Sequence, residues 1–155
     1  MWVKHYQIKG SLNVKLRPHT AGSDLLELNV LNDSKTKIAN VIFATIQDRK
    51  DRTLISIRNQ NTFLKEYRKK RLMTLIHLFL IHRYKAESVH YVSPTDDNQK
   101  QTQGMKNLGI YSDVNTEIGD IIVAVVNTEH VKELLNPNQV KLKKFISKKS
   151  GTRNK

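Results

Sequence analysis

Tyr67-Arg68-Lys69-Lys70-Arg71-Leu72-Met73 opens the stretch that decides the fold, and Leu108-Gly109-Ile110 closes it. A cluster of cations stands at the head of a run in which Leu72, Leu75, Ile76 and Phe79 recur at i, i+3, i+4 and i+7, while Leu78, Leu80 and Ile81 widen the apolar stripe. That spacing predicts a largely buried helix from Tyr67 to Lys85. Ser88 to Ser93 follows, and its valines and tyrosine suit a central strand. Asp97 to Leu108 reads as a polar helix, with Asp96 or Asp97 capping its start and Gly109 stopping it.

Upstream, Trp2 to Lys9, Leu25 to Leu31, Lys37 to Gln47 and Arg52 to Arg58 hold β-branched or alternating apolar residues and read as strands. Gly10-Ser11, Ala21-Gly22-Ser23-Asp24, Asn32-Asp33-Ser34 and Asp48-Arg49-Lys50-Asp51 are short, polar and rich in turn formers, so four antiparallel strands joined by hairpins are expected. Downstream, Ile121-Ile122-Val123-Ala124-Val125-Val126 is the core of a buried strand within Glu117 to Asn127. Thr128 opens a short helix through Leu135, ahead of Pro137. Strands, then helix, strand, helix, strand and helix give an α+β class: helices packed on a mixed sheet whose N-terminal strands are antiparallel.

The chain of 155 residues suffices for one domain, expected over 1–137, with a basic tail over 138–155. No cysteine is present, which excludes disulfides, thiolate metal sites and cysteine nucleophiles. The apolar run from Leu72 to Ile81 is broken by Thr74 and His77 and is far short of the ~20 residues that span a bilayer. With no signal-like apolar stretch near the start, a cytoplasmic protein without membrane association is expected. The formal charge is +13, but the last twenty residues carry seven Lys/Arg and no Asp/Glu, so about half of the excess sits in the tail. Lys143, Lys144, Lys148 and Lys149, with Phe145 as a stacking surface, offer contacts to nucleic acid or to an acidic protein partner.

Glu66-Tyr67-Arg68-Lys69-Lys70-Arg71-Leu72-Met73 resembles the cofactor loop of the GNAT superfamily of acyl-CoA N-acyltransferases. There an acidic-Tyr-Arg lead precedes a Gly-rich turn whose backbone N–H groups hold the CoA pyrophosphate at a helix N-terminus. Asn98 to Gly109 has the family's spacing between an Asn after the fifth strand and the Gly ending the next helix, and Leu108-Gly109-Ile110 stands where the family has Leu-Gly-Phe. The resemblance implies a GNAT-like fold, acetyl-CoA or another acyl-CoA as cofactor, and a groove between the strand before Tyr67 and the strand Ser88 to Ser93. It places Arg68, Lys69, Lys70, Arg71, Leu72, Met73 and Asn98 at the cofactor, and dimerisation follows by analogy alone.

Departures from the pattern fall on the chemistry. Lys69, Arg71 and Met73 stand at positions of small residues, usually glycines, and Met105 falls where a tyrosine commonly serves as general acid. Arg58-Asn59-Gln60-Asn61 is more polar than the strand the family places there. The cations from Arg68 to Arg71 admit two readings: side-chain phosphate ligands replacing the glycine geometry, or a solvated basic turn facing an acidic partner. No general base is identified. His77 and His82 do not share a helix face and no metal-ligand spacing occurs, so no metal site is expected. A divergent acyltransferase, a non-catalytic relative that binds ligand, and a basic module for nucleic acid or an acidic protein are the functional alternatives.

Overall fold

The computed structural model describes residues 12–20, 24–32, 34–65 and 72–134. Among them β1 (Leu12–Pro18), β2 (Leu26–Asn32), β3 (Lys37–Gln47) and β4 (Thr53–Thr62) form an antiparallel meander. Then come α1 (Leu72–Tyr84), β5 (Ser88–Val92), α2 (Asp96–Asn107), β6 (Tyr111–Asn115), β7 (Ile121–Val126) and α3 (Thr128–Leu134). The sheet order is β1-β2-β3-β4-β5-β7-β6, with β4 and β5 parallel and β7 inserted antiparallel between β5 and β6. The β2–β3 and β3–β4 turns are built by short polar side chains. Asn32 Oδ1 accepts the Ser34 and Thr36 N–H groups at 3.0 Å, and Asp48 Oδ1 accepts that of Lys50 at 2.8 Å.

Strand pairing sorts the side chains into two faces. Val14, Leu16, Leu28, Val30, Ala39, Val41, Phe43, Ile55, Ile57, Val89, Tyr91, Ile122 and Ala124 fall in register on one face. All but the half-buried Val14 and Leu16 are excluded from solvent, so the core lies here. Helix α1 packs on this face, with Tyr84 edge-on to Phe43 at 5.7 Å between ring centroids. Leu72, Leu75, Ile76, Leu78, Leu80 and Ile81 are all buried, as are Thr74 and His77, so α1 is wrapped almost all round, as its sequence demands.

Both longer helices end in left-handed caps. After α1, Lys85 has φ +52°, its N–H donates to His82 and the Ala86 N–H donates to Ile81. After α2, Gly109 has φ +82°, its N–H donates to Lys106 and the Ile110 N–H donates to Met105. These paired bonds satisfy carbonyls that would otherwise be orphaned.

Several expectations change. The cap of α2 is Thr95, not Asp96 or Asp97: its hydroxyl accepts the Asn98 N–H at 3.2 Å, and both aspartates lie in the first turn, where their charge favours the helix dipole. Strand β4 runs on to Thr62, because Asn59, Gln60 and Asn61 keep their ladder partners on β3 despite their polarity. Strands β1 and β6 add to the expected set. The first has a short alternation closed by Pro18; the second is an edge strand with only Tyr111 and Val114 apolar. The strand expected over Trp2 to Lys9, the loop from Glu66 to Arg71 and the tail lie outside the described residues.

Candidate ligand site where β4 and β5 part

Two parallel strands pair briefly and then separate. Leu54 to Ile57 of β4 align with Ser88 to Tyr91 of β5, after which β4 continues to Thr62 bonded to β3 alone. Opposite this divergence the β3–β4 register shifts: Phe43 faces Ile57 and Ile42 faces Asn59, leaving Arg58 as the extra residue of a bulge. One extra residue reverses the parity of all that follow. Gln60, opposite Val41, therefore shares the helix-bearing face with Ile55 and Ile57, and a polar side chain enters the core layer where the strands part.

Side-chain hydrogen bonds take over there from the backbone ladder. His77 Nε2 of α1 lies 2.8 Å from Gln60 Oε1, an acceptor only, so Nε2 carries the proton and Nδ1 is the accepting nitrogen. The Tyr91 hydroxyl donates to Nδ1 at 2.9 Å and accepts from the Tyr111 hydroxyl at 2.6 Å. Gln60 Nε2 donates to Gln101 Oε1 of α2, and Gln101 Nε2 completes the ring of contacts at 3.2 Å from His77 Nδ1. The imidazole also stacks on Tyr91, with centroids 5.5 Å apart. Two strands and two helices are thus tied together through one imidazole.

Burial fixes the protonation of this cluster. His77 and Tyr91 are each 1% exposed, and desolvation pulls the imidazole pKa down to about 3. Burial, then the neighbouring Tyr111 hydroxyl, pushes the Tyr91 phenol well above its ordinary range, and burial raises Tyr111 as well. At neutral pH all three are uncharged. None is poised to move a proton: the imidazole has both nitrogens engaged and a weak basicity, and both phenols hold their protons tightly. Met105, at the position that the family resemblance gives to the general acid, is fully buried, and its sulfur lies 3.8 Å from Gln101 Nε2.

The residues expected at a cofactor divide into three groups. Arg68, Lys69, Lys70 and Arg71 lie outside the described residues, directly before Leu72 in the chain. Leu72 opens α1 with its side chain buried, so only its backbone is free for a ligand, while Met73 is partly buried against the core. Asn98 is the third residue of α2 and completes a capping box: its Oδ1 accepts the Thr95 N–H at 2.9 Å. Ser93, between β5 and this helix, has φ +51° and donates its N–H to the Asp120 carbonyl at 2.8 Å. His90 faces away from His77 on the opposite side of the sheet, half-buried. Sequence reasoning does not find Gln60, His77 and Gln101 as a group. Their separations of 17, 24 and 41 residues carry no local signal, and Gln60 enters only through the bulge. Among the described residues no three His, Asp or Glu side chains converge as a metal site, and no helix is long and apolar enough to cross a membrane.

No protein-family profile matches the chain. It is 57% identical over 150 residues to "Isocitrate lyase 2" from the Erdman strain of Mycobacterium tuberculosis, a match covering 97% of this chain and 20% of that relative. It is equally identical to a shorter protein of the H37Rv strain that is also named for isocitrate lyase, over 97% of this chain and 38% of the relative. The chain thus spans between a fifth and two-fifths of the length of these relatives. Among solved structures, AtaTR bound with AcCoA superimposes with a TM-score of 0.51 at 6% identity, over 73% of each chain.

Proposed function

We propose that this chain, which has the fold of the GNAT acetyltransferases, is a non-catalytic domain that binds a CoA-type ligand and serves as the ligand-sensing part of a larger enzyme. The observation that carries this reading is the pairing of the polar side chains at the β4–β5 parting into a neutral, buried network, beside a methionine where the family has its acid. A transferase needs a group that gives up or accepts a proton near neutral pH. The described residues at this position are tuned away from that role.

Ligand binding is favoured by the divergence of parallel strands ahead of α1 and by the cations directly preceding that helix in sequence. AtaTR, with the same fold, was solved with AcCoA bound. The cations Arg68, Lys69, Lys70 and Arg71 replace by charge the backbone approach that glycines give, and Leu72, Met73 and Asn98 flank the same groove. The sensing role draws on the relatives: a segment matching this chain makes up 20% of a protein called isocitrate lyase 2, which leaves four-fifths of that protein outside the match. A CoA thioester bound to the appended domain would then bias the lyase by its differential affinity for two states.

Calorimetric titration with acetyl-CoA and free CoA, together with an assay for acyl transfer to amines, tests the reading. Micromolar binding without transfer is expected. Absence of binding at millimolar ligand overturns the ligand assignment, and turnover overturns the non-catalytic one. Arg68→Ala combined with Lys70→Ala is expected to weaken CoA binding at least tenfold, since each lost charge-assisted phosphate contact costs about 1.5–3 kcal/mol. Unchanged affinity would remove the phosphates from this loop.

The formal charge of +13 favours a second reading, a basic module for nucleic acid or an acidic protein. Steep salt dependence of polyanion binding, lost on removing residues 138–155, is its signature. No binding at low salt excludes it.

A further inference from the structure

We propose that Val140 to Lys144 joins the sheet as an eighth strand along the outer edge of β6, with Val140 and Leu142 turned into a groove beside α2 and Lys141 and Lys143 turned toward Asp113. These residues belong to the basic segment 138–155, outside the described residues. The inference concerns a sheet edge and does not depend on the CoA-type reading.

Strand β6 is last in the sheet order and pairs with β7 alone, so its outer backbone groups have no ladder partner among the described residues. Such an edge is a template for another strand. Val114, opposite Ala124, lies on the helix-bearing face, whereas Asp113 and Asn115, opposite Val125 and Val123, lie on the other. On the helix-bearing side the edge borders a groove of about 590 Å³, bounded by Gln99, Gln103, Gly104 and Asn107 of α2 and by Val114 and Thr116. That is several times the roughly 150 Å³ that accommodates a benzene ring. A Cβ at Gly104 would meet nothing within 4 Å, so packing in the described fold gives no reason for a helix-interior glycine that keeps the groove open.

Charge then selects the occupant. Between Leu108 and Asn127 stand Asp113, Glu117 and Asp120 and no Lys or Arg, in a chain of formal charge +13. All three carboxylates are exposed, and none has an ion-pair partner among the described residues. The edge thus favours a cationic strand and disfavours a second copy of β6, which would bring like charges together. Val140-Lys141-Leu142-Lys143 alternates apolar and cationic residues with the period of a strand. Lys100 on the groove wall repels lysines there, so the apolar pair turns inward and the lysines face Asp113. The chain can also reach. His130 Nε2 of α3 lies 2.9 Å from the Leu108 carbonyl, just before the start of β6. Leu134 is about 6 Å farther along the helix axis, and the residues from 135 to 139 can span about 17 Å. Leaving α3 beside the base of β6, the new strand runs parallel to it.

The test uses the whole chain, which has no cysteine, so Ser147→Cys provides a single site for a nitroxide spin label. The label should broaden the amide resonances of Asp113 to Thr116, and the β6 amides that face away from β7 should exchange slowly with solvent. Leu142→Asp should abolish the broadening and speed that exchange about tenfold or more. Asp113→Lys should act in the same direction, and adding Lys141→Glu with Lys143→Glu should restore part of the protection. All readouts are taken without CoA. Exchange at β6 that is indifferent to Leu142→Asp, or β6 resonances that stay sharp beside the label, overturns the eighth strand. Neither result touches the CoA-type reading, which stands or falls on the titrations above.

Discussion

Acidification should destabilise this protein through His77 well before ordinary carboxylates protonate. In the unfolded chain the imidazole titrates near 6.5, and in the folded protein burial holds it at about 3. Between those values the unfolded state binds the extra proton, so stability is complete above about pH 6.5 and is lost progressively as pH falls toward 3. The shift is worth about 1.4 kcal/mol per pH unit at most, which gives about 2 kcal/mol lost between pH 7 and 5 and about 5 kcal/mol by pH 3. Stabilities of small domains are about 5–15 kcal/mol, so this one residue would govern acid unfolding. The assay is urea unfolding followed by circular dichroism at half-unit steps from pH 7.5 to 4.5, on wild type and His77→Gln. The glutamine keeps a donor and an acceptor but has no proton to gain. His90, whose pKa burial also lowers, and the remaining histidines act equally in both proteins and cancel in the difference. Wild type should lose about 2 kcal/mol more than the variant between pH 7 and 5. Parallel curves would mean that the imidazole is not buried and neutral, and the network as described would fail.

Three further outcomes follow from the local structure. Glu27→Gln should flatten the acid slope from pH 4.5 down to 2, measured by the same unfolding series. Hydrogen bonds from Asn29 and His19, together with Arg17, hold this buried carboxyl at about 2, so its contribution is present above 4.5 and lost below. Thr95→Ala should lower stability by about 1 kcal/mol by removing the α2 cap, whereas Asp96→Ala should cost only a few tenths. Equal effects would return the cap to the aspartate. At the left-handed caps, Lys85→Gly should stabilise by about 0.5–1 kcal/mol, while Gly109→Ala should destabilise by at least as much. A Cβ at Gly109 would also meet the His130 ring at 3.0 Å, so thermal unfolding midpoints should move in opposite directions.

The parts of the fold that can be read in advance are those where a single period dominates. Leu72, Leu75, Ile76 and Phe79 mark α1, and the run from Ile121 to Val126 marks β7, because burial on most sides leaves few polar residues to blur the pattern. Gly109 is equally legible, since a left-handed stop after a polar helix favours glycine. Lys85 adopts the same conformation without that signature and gives no warning. The cap of α2 illustrates a different limit. Thr95, Asp96 and Asp97 are all competent N-caps, and only the backbone, with φ −94° and ψ 172° at Thr95, selects among them. For β4, the polarity after Arg58 outweighs the alternation and predicts too early an end. The bulge that carries Gln60 inward is a property of two strands in register and is written in neither alone.

The same bulge explains why the parting of the strands can persist without the chemistry usually associated with it. A polar side chain forced into the core layer must find partners, at a cost of about 1–3 kcal/mol for each group left unpaired. Gln60 finds them in His77 and Gln101, and His77 in turn depends on Tyr91 and Tyr111. Each partnership takes a group out of proton transfer: burial lowers the imidazole and raises both phenols, and the Tyr111 hydroxyl raises Tyr91 further. A catalytic site needs groups that are incompletely satisfied until substrate arrives, and this cluster is complete without one. A complete, neutral cluster of this kind suits tying two strands and two helices together better than bond making.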